Sequence, residues 1–566
     1  MESNNNLGGN STLSPLKTFS MKRLAFMLLF INIASVLFPQ NFQIDWQQCF
    51  GGSETDIAYD IVQVDGGYFV LGGTNSDDGD ISFTHGGSEV WCVKIDNSGN
   101  LIWEKTYGGS NGEGGFRGFK EMGSLNFYIV GKTTSNDGDI SNNPYPGISN
   151  LWVIKIDSSG TILWERVIGN NVGFMYEMNA APTSDGGLVI AAQIDSQGGD
   201  ITSYFGGYDG WLIKLNSEGE TEWDQAIGSE TDFEFINGII QTSDGGYLAG
   251  LYGTPQGAGS GNVECITQST SKADAILFKL DSNGNKEWEQ CYGGSGHDGI
   301  VRLLEIDDGY LVAAYGGSND GDLQGSGWHG EMDIWLIRTD LLGNIIWQKC
   351  YGGSRNDTPF RIFQTANGGF TVFGTTQSND GDVSGNHSLS EYHNDIWVIK
   401  ISGDGELLYQ KCFGGEVDER MYFGAIKKSD YNYVIAGSTN FGPSYDVQCT
   451  PHSFIDPDFW VFEISDTTTN DVVQNENEMG LKVYPNPAHD YVVFEVPSSI
   501  IQNSLHNKVA KCPAIIINNV LGNLMTKLPI NTENTVWDTR NVKDGVYFYT
   551  IKSNAYQITG KILIRH

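Results

Sequence analysis

Basic residues are scarce in this chain. Its 566 residues hold 33 Lys and Arg against 69 Asp and Glu, a formal net charge of −36. No basic stripe is available to neutralise phosphates, which excludes a nucleic-acid partner. Long apolar runs are scarce as well. The one conspicuous run, residues 24–38, follows Met21-Lys22-Arg23 and is too short to span a bilayer. A charged start with a short apolar stretch predicts an export signal within residues 1–41 and no transmembrane span. No long segment beyond it carries a 3.6-residue apolar period, so a helical bundle is excluded. His-Glu-x-x-His, Gly-x-Ser-x-Gly and P-loop motifs are all missing, so no short motif points to an enzyme.

What the chain does have is 12% aromatic residues, 73 glycines and a repeat of about sixty residues, recurring seven times between Phe42 and Ser465. The repeat is clearest as Trp-x-x-x-aromatic-Gly-Gly. Trp46 leads to Phe50-Gly51-Gly52, Trp103 to Tyr107-Gly108-Gly109, Trp288 to Tyr292-Gly293-Gly294, and Trp347 to Tyr351-Gly352-Gly353. Trp164 and Trp223 open weaker copies, and Tyr409 replaces the tryptophan before Phe413-Gly414-Gly415. Turns such as Asp65-Gly66-Gly67 and Asp96-Asn97-Ser98-Gly99 divide each copy into four strands, here A to D. A fixed period with strand content predicts a β-propeller. The first copy is preceded by a lone D-type strand at residues 45–50, and the last stops after a C-type strand at 458–463. These complementary deficits predict a seven-bladed ring over 42–465, closed by the N-terminal strand, with no exposed edges.

Residues 466–479 are polar and read as a linker. From Gly480 the charge balance reverses: residues 480–566 hold nine Lys and Arg against five Asp and Glu, whereas the remainder holds 24 against 64. Alternating segments at 491–496, 514–518, 546–551 and 561–564 predict a small β-sandwich, giving an all-β chain of two modules. The run Leu481-Lys482-Val483-Tyr484-Pro485-Asn486-Pro487-Ala488 opens this module. Asn519-Val520-Leu521-Gly522, Asp544-Gly545-Val546-Tyr547-Phe548-Tyr549 and Gly560-Lys561-Ile562-Leu563-Ile564 follow in order. It resembles the type A C-terminal sorting domain of the type IX secretion system of Bacteroidota, whose signal residues would be Tyr484, Pro485, Asn486, Pro487, Gly522, Gly545 and Tyr547. The resemblance implies handling by the type IX machinery, then a secreted or cell-surface location. The Gly-Gly-Tyr-rich propeller repeats likewise resemble those of other exported proteins.

Three groups of residues could carry chemistry. The B–C loops repeat Ser-Asn/Asp-Asp-Gly-Asp, which places Asp78 with Asp80, Asp137 with Asp139, Asp320 with Asp322, and Asp380 with Asp382. Close carboxylates around a glycine can bind calcium; the alternative is that they bond their own backbone as Asx-turns. His85, His329, His387, His393 and His452 fall in the same loops. Imidazoles beside acids can hold a transition metal or move protons, but the spacing does not fix these to one point, and they read as surface side chains. The strand-C tryptophans, Trp91, Trp152, Trp211, Trp335, Trp397 and Trp460, alternate with apolar residues and read as core rather than as sugar-stacking platforms. Cys49, Cys291, Cys350 and Cys412 occupy one repeat position and read as buried thiols; Cys265 and Cys449 fall in loops. The sequence supports an exported, non-catalytic module that binds a glycan or a protein. The alternative is an enzyme degrading extracellular polysaccharide or protein in the propeller's central pocket. A scaffold keeps its repeat regular, and the one conspicuous irregularity in the sequence is residues 253–273.

Overall fold

The computed structural model describes residues 42–466 except 174–175, 231–232, 255–260, 267–271, 441 and 454. It also describes residues 482–566 except 485–487, 497–513, 520–523, 531, 533, 544 and 553–556. The export signal, most of the linker, and Pro485, Asn486, Pro487 and Gly522 lie outside the described residues. Two compact units separate, one of them Phe42–Asp466.

Within Phe42–Asp466 the chain forms seven four-stranded antiparallel sheets. The first is built in sequence order from Asp56–Val64, Gly67–Thr74, Glu89–Asp96 and Leu101–Tyr107. Five more follow over 113–168, 176–227, 234–292, 298–351 and 357–413. The seventh takes Arg420–Lys427, Asn432–Thr439 and Asp458–Asp466 from the C-terminal side and Phe42–Phe50 from the start of the unit. Phe42 pairs with Asp466 and Phe50 with Phe459, so the first strand supplies the outer edge of the last sheet. These meandering four-stranded sheets fit a β-propeller.

Cores lie between sheets rather than within them. Strands B and C are buried along their length, as in Leu188–Ile194 and Asp209–Leu215, because both faces meet a neighbouring sheet. Phe69 and Val90 of the first sheet pack with Ile129 and Ile154 of the second. Val434 and Val461 of the seventh pack with Tyr68 and Val93 of the first. The strand-C tryptophans are fully buried, and each indole N–H finds a strand-D acceptor: Trp91 donates to Glu104 at 2.9 Å and Trp335 to Gln348 at 2.7 Å. For Trp460 the acceptor is Gln47 at 3.0 Å, so the N-terminal strand fills strand D's role in detail.

Two cysteine expectations are corrected here. Cys49 is bonded to Cys449 and Cys291 to Cys265, whereas Cys350 and Cys412, with Cys92, are buried free thiols. The repeat position is the same, but only Cys49 and Cys291 have a loop cysteine of their own sheet beside them. The Cys49–Cys449 bond closes a separation of 400 residues and ties the first strand to the seventh sheet.

In the C-terminal unit, Lys482–Tyr484, Tyr491–Glu495 and Asn534–Asp538 form one sheet. Leu524–Pro529, Ala514–Asn519, Gly545–Lys552 and Gln557–Ile564 form the other. Phe494, Ile515, Ile517, Tyr549 and Ile562 share one core. Tyr484 is exposed on its strand, Gly545 opens a strand with φ of 157°, and the Tyr547 hydroxyl donates to the Lys543 carbonyl at 2.8 Å.

Candidate functional site

Strand A of all seven sheets lines one cavity of about 630 Å³. In each of these strands the register against strand B slips, between Ala58 and Asp60, Gly114 and Arg117, or Pro359 and Arg361, for example. Such a bulge re-aims the side chain that follows it. The residue after the slip is Asp60, Arg117, Gly238, Arg302, Arg361 or Gly424 in six of the sheets, and Asn179 takes the matching place in the third. The repeat is uniform around this position and heterogeneous at it.

Three guanidinium groups and one carboxylate meet there. Arg302 is almost wholly buried and held by backbone: Nε donates to the Phe360 carbonyl at 2.9 Å, and Nη1 to those of Val301 at 3.0 Å and Asn237 at 3.2 Å. Arg361 Nη2 stands 3.5 Å from Asp60 Oδ1. Asp60 also accepts the Ile61 N–H at 2.9 Å and the Gly118 N–H at 3.3 Å. The Phe423 ring receives two cations, with Arg117 3.0 Å and Arg302 3.7 Å from its centroid. Burial, then the charges of Arg117 and Arg361, pull the Arg302 guanidinium well below its usual range, and Asp60 opposes this.

A second cavity of about 580 Å³ shares Arg117 and Asn179 with the first. Its wall carries Tyr59, Phe360, Tyr422 and Phe423, and a further side holds Tyr315. Tyr59 and Tyr422 lie 5.3 Å apart between centroids, and Phe360 is 6.1 Å from Tyr422. None of these residues was singled out by motif reading. A signal was present, however: five strands start on a buried acid, Asp56, Glu113, Glu234, Asp298 or Asp357, and the lining residue lies four positions on.

The eight Asp-Gly-Asp carboxylates sit elsewhere, at the junctions between consecutive sheets, and bond backbone there. Asp78, Asp137, Asp320 and Asp380 accept the N–H of Ser53, Ser110, Ser295 and Ser354 at 2.7 to 2.8 Å. Asp80, Asp139, Asp322 and Asp382 accept the N–H of Gly51, Gly108, Gly293 and Gly352 at 3.1 to 3.4 Å. These bonds reach backbone 25 to 31 residues away in sequence, so they tie each loop to the turn before strand A rather than to its own turn. Among the described residues the one set of three metal-capable side chains within 4.8 Å of each other is Cys265, Glu289 and Cys291, and its two cysteines are bonded together.

The loop histidines do not converge on one point; four of them bridge sheets. His329 Nδ1 is 2.9 Å from Asp333 of its own sheet, and Nε2 is 3.8 Å from Asp382 of the next. His85 spans Glu89 and Asp139, His387 spans Asp395 and Asp446, and His452 spans Asp458 and Asp80 of the first sheet. They are links between sheets rather than scattered groups, a correction to the sequence reading; His85 and His387 are half-buried, His329 and His452 exposed. His393 stays apart from this pattern.

Beneath them the Gly-Gly motif finds its cause. The strand-C acid of one sheet meets the strand-A acid of the next across the first glycine. A Cβ on Gly352 would stand 2.5 Å from Asp357 Oδ2 and 2.9 Å from Asp333 Oδ1. The second glycine donates its N–H to the strand-A acid, Gly353 to Asp357 at 2.8 Å and Gly52 to Asp56 at 2.7 Å. Burial pushes Asp357 and Asp458 up to about 7, Glu419 to about 8 and Asp209 to about 6.

Residues 482–565 match the family described as the Secretion system C-terminal sorting domain. The chain is thus a type IX secretion substrate, delivered to the cell surface or outside. Among the described residues no helix is long and apolar enough to cross a membrane. No curated protein matches the chain. Among solved structures it is similar to a Dyadobacter fermentans protein of unknown function (10% identity, 75% of this chain and 99% of that one, TM-score 0.39). It is also similar to an α-L-arabinofuranosidase of Fusarium graminearum (9%, 75% and 99%, TM-score 0.37). A third is a polysaccharide lyase of family PL25, an ulvan lyase (10%, 71% and 96%, TM-score 0.44). Likeness at these scores carries no argument about activity, which rests on this chain's own residues.

Proposed function

We propose that the chain is an exported, non-catalytic binding module: a closed seven-bladed propeller that takes a glycan or protein ligand in its axial cavity and in the aromatic-walled cavity that shares Arg117 and Asn179 with it. The sharing of a core between the seventh and first sheets supports closure, as does the use of Phe42–Phe50 as the seventh sheet's outer strand. One observation carries the functional reading. Where the repeat deviates from itself, it places fixed polar side chains around a cavity, which is how a scaffold acquires a site. Asp60 is the one carboxylate on the walls of the two cavities among the described residues, and it is engaged by Arg361 and two backbone N–H groups. Paired-carboxylate hydrolysis therefore has no second acid there.

The test is a glycan and surface-protein array probed with the purified full chain and with Tyr422→Ala. Binding lost in the variant, with no turnover of the bound ligand, supports the reading. Turnover of a bound polymer establishes the enzyme instead.

A further inference from the structure

We propose that the axial cavity recognises an anionic saccharide, one bearing carboxylate or sulfate groups, through Arg117, Arg302 and Arg361. The inference rests on the binding reading above and names its ligand class.

The charge at the site opposes that of the whole. A chain of net charge −36 places three guanidinium groups against a single carboxylate on the wall of one cavity. Gathering like charges in a poorly solvated place costs free energy, and an anionic ligand offsets that cost. A guanidinium is a planar fork that can meet a carboxylate or sulfate with two parallel bonds, although Arg302, with Nε and Nη1 engaged, offers only its Nη2 N–H groups. Arg302 is set in advance: backbone carbonyls hold Nε and Nη1, leaving its Nη2 edge without a partner among the described residues. Little ordering then remains to be done when the ligand binds.

The ring faces select a sugar over a compact inorganic anion or an acidic peptide. Tyr59, Tyr422 and Phe360 present half-buried aromatic faces beside Arg117 in the second cavity. Aromatic faces stack on the C–H faces of pyranose rings, while the guanidinium groups take the substituent charge. The cavity of about 580 Å³ is of the size that holds a small oligosaccharide. Delivery to the cell surface or outside gives such a ligand access to the protein.

The experiment is calorimetric titration of the full chain with poly-glutamate and with three oligosaccharides of equal length: an oligogalacturonate, a neutral galacto-oligosaccharide and a sulfated galacto-oligosaccharide. One charged probe is expected to bind at least about a hundredfold more tightly than the neutral one. Arg117→Gln and Arg361→Gln, both on half-exposed side chains, should each weaken it roughly ten- to a hundredfold. Their melting temperatures should stay near that of the parent. Which charged probe binds assigns carboxylate or sulfate. Equal binding of the neutral probe, or arginine variants with unchanged affinity, overturns the anionic assignment and leaves the binding module standing. No binding by any probe overturns the assignment, and binding of poly-glutamate instead shows the ligand to be an acidic peptide. Release of unsaturated uronate from the carboxylated probe supports the site while overturning its non-catalytic use.

Discussion

The sheet junctions and the axial cavity obey opposite rules. At the junctions the same parts recur: a Gly-Gly wedge, two buried acids, an Asp-Gly-Asp turn and, in four cases, a bridging histidine. At the axis, equivalent positions carry Asp60, Arg117, Asn179, Gly238, Arg302, Arg361 and Gly424. Parts that repeat solve a problem every sheet shares, which is docking on its neighbour. A position that carries four residue types over seven sheets solves no shared problem and is free to serve a ligand. In a repeat protein, then, the conspicuous motif marks architecture, and the site lies where the motif says nothing.

The comparison breaks most visibly on stability. Tying Phe42–Phe50 to the seventh sheet across 400 residues removes denatured-state freedom worth up to about 6 kcal/mol in the chain-entropy account. Cys49→Ser should therefore cost about 2–5 kcal/mol in chemical denaturation. A loss under 1 kcal/mol would show that strand pairing alone holds the strand. Gly352→Ala should cost about 3 kcal/mol, because the new methyl overlaps two buried acids and neither can withdraw without losing its bonds. An unchanged melting temperature there would refute the wedge. At the axis, Arg361→Gln should change stability by less than about 1 kcal/mol while abolishing or weakening ligand binding.

Acidity sharpens the same contrast. The junction acids have folded-state values raised by burial, so between about pH 4 and 8 the native state binds more protons than the unfolded one. Their contribution is fully present at the low end of that window and is lost as pH rises through about 6 to 8. His387, raised chiefly by its bond to Asp395, works in the same direction. The melting temperature should thus rise from pH 8 to pH 5, and Glu419→Gln should flatten the profile. A melting temperature that falls over that range contradicts the buried-acid account. The smallest effect is expected from calcium. With the Asp-Gly-Asp oxygens bonded to backbone N–H groups, millimolar calcium or excess chelator should leave the melting temperature within a degree or so. A saturable rise would make those loops metal sites.

Much of the fold was legible because it is periodic. The Trp-x-x-x-aromatic-Gly-Gly spacing marked the outer strands, and the missing strand D after Asp458–Asp466 identified Phe42–Phe50 as its replacement. The cysteines were misread because pairing depends on a loop neighbour: Cys49 meets Cys449 only once it lies opposite Trp460. The histidines looked scattered because each bridges to an acid of the following sheet, some fifty residues away for His85 and His329. The arginines escaped notice because a search for similarity discards the positions that differ. Counting four residues from each buried strand-A acid would have found Asp60, Arg117, Gly238, Arg302 and Arg361.

The most direct measurement is a crystal structure of the full chain grown with whichever charged oligosaccharide binds. The account predicts the sugar spanning the axial cavity and the adjoining aromatic one, with a carboxylate or sulfate bonded by at least two of Arg117, Arg302 and Arg361 and a pyranose face against Tyr59 or Tyr422. A sugar seated instead on the Asp-Gly-Asp loops, with the axial arginines untouched, would contradict it.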